Sequence, residues 1–269
     1  MSADDPRVTP DWLALREPAD AAARVPELVE LLRGQLAGTE PVVVHDLGSG
    51  TGSMARWLAP QLPGPQHWIM YDRDGDLLEH AVARPLGAAV TVETRQRDIT
   101  RLAPADLGGA SLITASALLD MLTAAEVERV VAACAGAGCP ALLTISVSGR
   151  VELTPPHPLD ATIADAFNAH QRRTTGGRTL LGPGAVDATV EAFGRHGASV
   201  VVRSSPWRLG PDQADLAAGW FRGWLDAACA QRPELAGPAA AYASHRLADA
   251  AAGRLGVVVQ HSDLLAGRA

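Results

Sequence analysis

The chain has no lysine: all 23 of its cationic residues are arginine. That excludes Schiff-base chemistry and the phosphate-binding loop that ends in GK[ST]. Cysteine is scarce as well. Cys134, Cys139 and Cys229 are too few for a disulfide framework, and no second pair stands at zinc spacing. Plain thiols in a reducing cytoplasm, with no metal site, are the expectation. No run reaches the ~18 uninterrupted apolar residues that a membrane-spanning helix needs. The opening "MSADDPRVTP" is acidic and lacks the apolar core of an export signal. Cationic charge is also in deficit, at a net −7, which disfavours nucleic acid. Arg95, Arg97 and Arg101 are too sparse a cluster to reverse it. These absences leave small molecules as the partners. Arginine without lysine, amid abundant alanine, glycine and proline, also suggests a GC-rich bacterial genome.

What is present suits one large core: 269 residues, 47% hydrophobic and 20% charged. Strand-like runs at 42–45, 67–70, 90–93, 111–114 and 141–146 alternate with segments of three- and four-residue apolar spacing. One of those segments opens with Thr123 and has Glu126 three residues later, a capping box. Two further strands read at 198–203 and 254–260. The pattern predicts an α/β fold: a doubly wound, Rossmann-like, seven-stranded and mostly parallel sheet with an antiparallel last strand. Residues 1–38 read as an N-terminal helical lid. Helical insertions at 149–183 and 211–250 read as lid and substrate pocket within one domain, 1–269.

The stretch "VVVHDLGSGTG", Val42 to Gly52, places three glycines at alternate positions after a strand. Glycine accepts positive φ and lets a ligand approach bare backbone. A dinucleotide fingerprint would want a third glycine where Ser53 stands. Asp46, at the strand end, repels a pyrophosphate and suits an ammonium. Asp72 ends the next strand, where a carboxylate accepts ribose hydroxyls. A ligand with ribose and ammonium but no pyrophosphate is S-adenosylmethionine.

With "MYDRDGDLLEHA" and "RQRDIT", this stretch resembles the class I S-adenosylmethionine-dependent methyltransferases over residues 40–148. The resemblance implies that Gly48, Ser49, Gly50, Thr51 and Gly52 contact the methionine moiety, with Asp46 near its ammonium. It implies that Asp72 holds the ribose diol and that Arg73 lies along the adenine face. Asp98 would accept from the adenine amino group, Ile99 would flank the ring, and Ser116 would line the cofactor near the reacting methyl. The sequence departs from the family at Met121, where many relatives carry histidine, and it has no [DN]PP[YFW] signature. Taken singly, each aspartate is a helix cap or turn acid. Three at successive strand ends favour the cofactor.

For the acceptor side, His170 in the 149–183 segment is the candidate base, with His157, Trp12 and Arg16 as further substrate contacts. His45 reads as a core residue, and His67, His80 and His196 as surface or capping groups. Trp220 and Trp224 read as core or oligomer contact, which leaves a homodimer open. The function expected is methyl transfer to an O, N or C atom of a small-molecule acceptor, of the kind found in secondary metabolism. The rivals are a protein that binds the cofactor without transferring the methyl and an NAD-dependent oxidoreductase.

Overall fold

The computed structural model describes residues 8–268 of the chain; the acidic start, residues 1–7, lies outside them. Thr9 begins α1 (Pro10–Ala23): its hydroxyl accepts from the Trp12 N–H at 3.2 Å, and Pro10 takes the first helical position, where no N–H is needed. Val25 stands in extended backbone before Pro26, and α2 (Pro26–Gln35) follows. Then come β1 (Val42–Leu47), α3 (Ser53–Leu58), β2 (Gln66–Asp72), α4 (Gly75–Val82), β3 (Val90–Gln96) and β4 (Leu112–Ser116). The middle of the chain forms α5 (Ala124–Ala137), β5 (Ala141–Thr154), α6 (Asp160–Gln171) and the short β6 (Thr174–Thr175) and β7 (Arg178–Thr179). The rest is α7 (Ala185–Arg195), β8 (Ala198–Ser204), β9 (Trp207–Leu209), α8 (Ala214–Gln231), α9 (Ala236–Ala251) and β10 (Gly256–Arg268). The capping box at α5 forms as its spacing predicts: Glu126 N–H donates to Thr123 Oγ1 at 3.2 Å, and Thr123 N–H donates to Glu126 Oε2 at 2.8 Å.

The sheet order is β3-β2-β1-β4-β5-β10-β8, with β10 antiparallel to both its neighbours and the other pairs parallel. An eighth strand, β9, joins the seven that the sequence pattern predicts. β8 pairs with the second half of β10, so the first half, Val257–Val259, is free to pair with β9. The expected insertion at 149–183 likewise begins as strand, because β5 runs on to Thr154 against β10.

Alternation along the strands sorts the core. Val42 and Val44 pack with α2 and α3 on one face. Leu47, Ile113 and Leu143 pack with α5 and α7 on the other. A third cluster joins α6, α8 and α9 to the far ends of β5, β9 and β10, and forms a helical body beside the sheet. The carboxyl ends of β1, β2 and β4 therefore open beneath α1.

Candidate functional site

Gly48, Gly50 and Gly52 take φ of +67°, +54° and +83°, a region that L side chains rarely enter. Two strands pin the turn. Ser49 N–H donates to the Tyr71 carbonyl, and Gly50 N–H donates to Asp72 Oδ2, both at 2.9 Å. The other Asp72 oxygen accepts from the Asp74 N–H at 3.0 Å. The glycines also seat the turn against its own protein. A Cβ on Gly48 would lie 3.1 Å from Leu118 Cδ1, and one on Gly50 would lie 3.2 Å from Leu13 Cδ1. α1 thus crosses directly over the loop. Glu17 holds it there with both oxygens 2.7 Å from the Arg56 guanidinium, which in turn donates to the Thr51 carbonyl at 2.6 Å.

Beside this turn lies a buried cluster of charge. Asp46 is 1% exposed; its Oδ1 accepts from the Thr114 hydroxyl at 2.7 Å, and its Oδ2 has no partner among the described residues. Burial pushes this carboxyl up to about 6, against the pull of Thr114 and Arg24. Arg24 is a residue that sequence reasoning missed. It follows α1, is 2% exposed, and donates to Ser116 Oγ at 3.1 Å, Ser53 Oγ at 3.3 Å and Thr144 Oγ1 at 3.4 Å. Among the described residues its Nη1 has no acceptor and Ser49 Oγ has no partner. Burial pulls the Arg24 pKa down, and Asp20, Asp263 and Asp46 oppose it. The one available signal was "ARVPE", an arginine where two helices meet at a proline.

An open carboxylate oxygen, an open guanidinium N–H and an open hydroxyl around one turn complement the ammonium and carboxylate of an amino acid. Burying such groups unpaired costs stability, which makes this turn the candidate site. Residues 44–138, from β1 past the end of α5, match the family described as methyltransferase domain. The chain has a Rossmann-like methyltransferase fold, and this stretch of it is similar to a methyltransferase domain. No curated protein matches its sequence. Among solved structures it is similar to the YcgJ protein of Bacillus subtilis, at TM-score 0.53 and 15% identity over 91% of this chain and 100% of that one. It is also similar to the cyclopropane synthase MmaA2 of Mycobacterium tuberculosis, at TM-score 0.51 and 12% identity over 95% of this chain and 94% of that one. At such identities the likeness is one of fold.

Other residues expected to meet the cofactor fall near the same edge. Ser116 ends β4 and accepts from both Arg24 and Thr144. Asp98 caps a short turn after β3, accepting from the N–H and hydroxyl of Thr100, and Ile99 beside it is buried in the core. Arg73 is exposed after β2, and its carbonyl accepts from Gln96 Nε2 at 3.0 Å.

On the acceptor side the expectations divide. Trp12 packs against Gly219 of α8, whose added Cβ would lie 3.2 Å from the indole. Arg16, expected to meet substrate, instead pairs with Asp20 at 3.0 and 3.1 Å and lies over the Trp207 ring at 4.9 Å. Asp20 also accepts from the Trp207 indole N–H at 2.9 Å, so this set fixes α1 to β9. His157 is occupied at the start of α6: its Nδ1 accepts from the Leu159 N–H at 3.1 Å, and its ring packs on Tyr242 at 4.8 Å. Asp160 there pairs with Arg246 and accepts from Tyr242, which is structural work. His170 is half-buried near the end of α6, where burial, then the Arg173 charge, hold its pKa below the usual histidine value.

Asp120 went unnoticed in the sequence. It lies in the turn after β4, four residues beyond Ser116, half-buried, with burial pushing its carboxyl up to about 6. Nearby backbone is strained: Ala117 has φ +52° and Ile145, β-branched, has φ +56°. Ile145 sits at a bulge of β5 against β10, and its N–H donates to Asp263 Oδ1 at 2.8 Å. Asp263 also accepts from Ser205 Oγ at 2.6 Å and from the Val25 N–H at 3.0 Å. It thereby ties the α1–α2 joint to the sheet and sets the position of Arg24.

Proposed function

We propose that this protein transfers a methyl group from S-adenosylmethionine to a small-molecule acceptor. The observation that carries the proposal is the set of unpartnered buried atoms around the glycine turn: Asp46 Oδ2, Arg24 Nη1 and Ser49 Oγ. Asp46 would take the ammonium of the cofactor and Arg24 its carboxylate, while Asp72 would offer the second lone pairs of its oxygens to the ribose hydroxyls. Asp98, Ile99 and Arg73 would border the adenine. When bound, the cofactor supplies an electrophilic methyl on a sulfonium. The chain's own work is to hold the acceptor in line at ~3–3.5 Å and to exclude water, for which α1 over the turn is suited.

Where the acceptor must lose a proton, Asp120 and His170 are the candidates. Asp120 is favoured, because it follows the β4 end that carries Ser116 and its raised carboxyl is poised to accept a proton near neutral pH. The segments at 149–183 and 211–250, as α6 and α8, would wall the acceptor side.

Calorimetric titration tests this reading. S-adenosylhomocysteine should bind and NAD should not. Arg24→Gln should weaken the first by at least about tenfold, the loss of one charge-assisted hydrogen bond. Binding of NAD without binding of the sulfur ligand would overturn it.

A further inference from the structure

Between α1, α6 and α8 lies a cavity of about 280 Å³ walled by Trp12, Phe167, Trp220 and Trp224 and floored by Gly219 and Gly223. No lining residue is charged. Trp220 and Trp224 stack with centroids 5.3 Å apart and planes 22° from parallel, so that each covers one face of the other and Trp220 turns its free face outward. The two glycines, four apart, bare a strip of α8, and a Cβ built on Gly223 meets nothing within 4 Å. Glycine inside a helix costs ~1 kcal/mol relative to alanine, so packing does not explain Gly223. Trp224 is 1% exposed, and its indole N–H has no acceptor among the described residues. A buried donor without a partner is the second sign of a missing occupant.

The cavity is next to the cofactor cradle. Trp12 faces α8 while its neighbour Leu13 lies over Gly50, so the two sites flank adjacent faces of α1. Arg16, one turn beyond Trp12, is close enough to Asp120 for its charge to act on that carboxyl.

We propose that this cavity holds the body of the methyl acceptor, and that the acceptor is a flat, uncharged aromatic molecule bearing an oxygen that accepts the Trp224 indole N–H. Stacking on an aromatic lining, here Trp12, Phe167 and Trp220, favours planar rings over acyl chains. A cation held by ring faces alone is the rival occupant, and tetramethylammonium in the test below separates the two. This inference rests on the proposed methyl transfer.

The test uses 1-naphthol as probe and follows tryptophan emission, with octanol and tetramethylammonium as comparators and a parallel titration of S-adenosylhomocysteine. 1-Naphthol should quench emission saturably and bind more tightly than either comparator. Gly223→Leu, which fills the cavity from an unstrained helical position, should weaken naphthol at least tenfold and leave S-adenosylhomocysteine unchanged. Octanol or tetramethylammonium binding as well as naphthol, or naphthol binding unmoved by Gly223→Leu, would overturn the proposal. If naphthol behaves as expected but S-adenosylhomocysteine fails to bind, the methyl-transfer reading falls and the aromatic site stands. The reverse result removes the aromatic site alone.

Discussion

Replacing Asp46 by asparagine should make the ligand-free protein more stable and its cofactor binding worse. Burial raises the Asp46 carboxyl from 3.8 to about 6. Below pH 3.8 it is protonated in both folded and unfolded chains and costs nothing. As pH climbs through 6 the folded protein must ionise a buried group, and the full cost, about 3 kcal/mol, is present at pH 8. Asparagine removes that charge and keeps an oxygen for the Thr114 hydroxyl, which now donates at 2.7 Å. Its amide lacks a partner at the other position and returns ~1 kcal/mol of the gain. The net is about 2 kcal/mol at pH 8, or a melting temperature higher by roughly 4–8 °C, with no gain at pH 3.5. Binding moves the other way: one charge-assisted bond to the ammonium, about 1.5–3 kcal/mol, is lost, so affinity drops about 10–150-fold. Wild-type affinity should itself decline as pH falls below 6, whereas the variant should be flat there. Thermal melts at pH 3.5 and 8 and calorimetry with S-adenosylhomocysteine read both effects. A variant that melts lower than wild type at pH 8 and binds equally well would refute the reasoning, since Asp46 would then be a structural acid.

Three further outcomes are expected. Asp120→Asn should lower turnover ~10²–10⁴-fold and remove a rising limb near pH 6 while sparing cofactor affinity, if the acceptor loses its proton to Asp120; an equal loss in His170→Ala alone would give the role to His170. Glu17→Gln removes one side of the pair that holds α1 to Arg56 and should cost about 1–3 kcal/mol; cofactor association and release, followed by stopped flow, should both quicken. His261, whose pKa burial, then the Arg16 charge, depress to about 4, contributes stability that is full above pH 6.5 and lost as pH falls toward 4. His261→Gln should therefore flatten the decline in melting temperature across that window.

The glycine turn and its strand-end acids were legible because they depend on local chemistry. φ near +60° at alternate residues requires glycine, and strands buried on both faces require unbroken apolar runs, so sheet and cradle could be placed from "VVVHDLGSGTG" and the runs that follow. The capping box at Thr123 was legible for the same reason: its partners are three residues apart. By itself, then, the sequence determined the α/β fold, the strand ends and the kind of ligand they suit. Arg24, Asp120 and the aromatic cavity were decided only by tertiary structure. Arg24 is one arginine among 23 until the bend before Pro26 turns it inward, and Asp263, distant in sequence, pins that bend. Asp120 acquires its raised carboxyl from the burial around it. Trp12, Phe167 and Trp220 share a wall only because α1, α6 and α8 meet. The same long-range packing engages Arg16 with Trp207 and His157 with Tyr242, contacts that no local spacing records. Local preference is set by a residue and its near neighbours, whereas burial and charge pairing depend on segments that folding alone brings together.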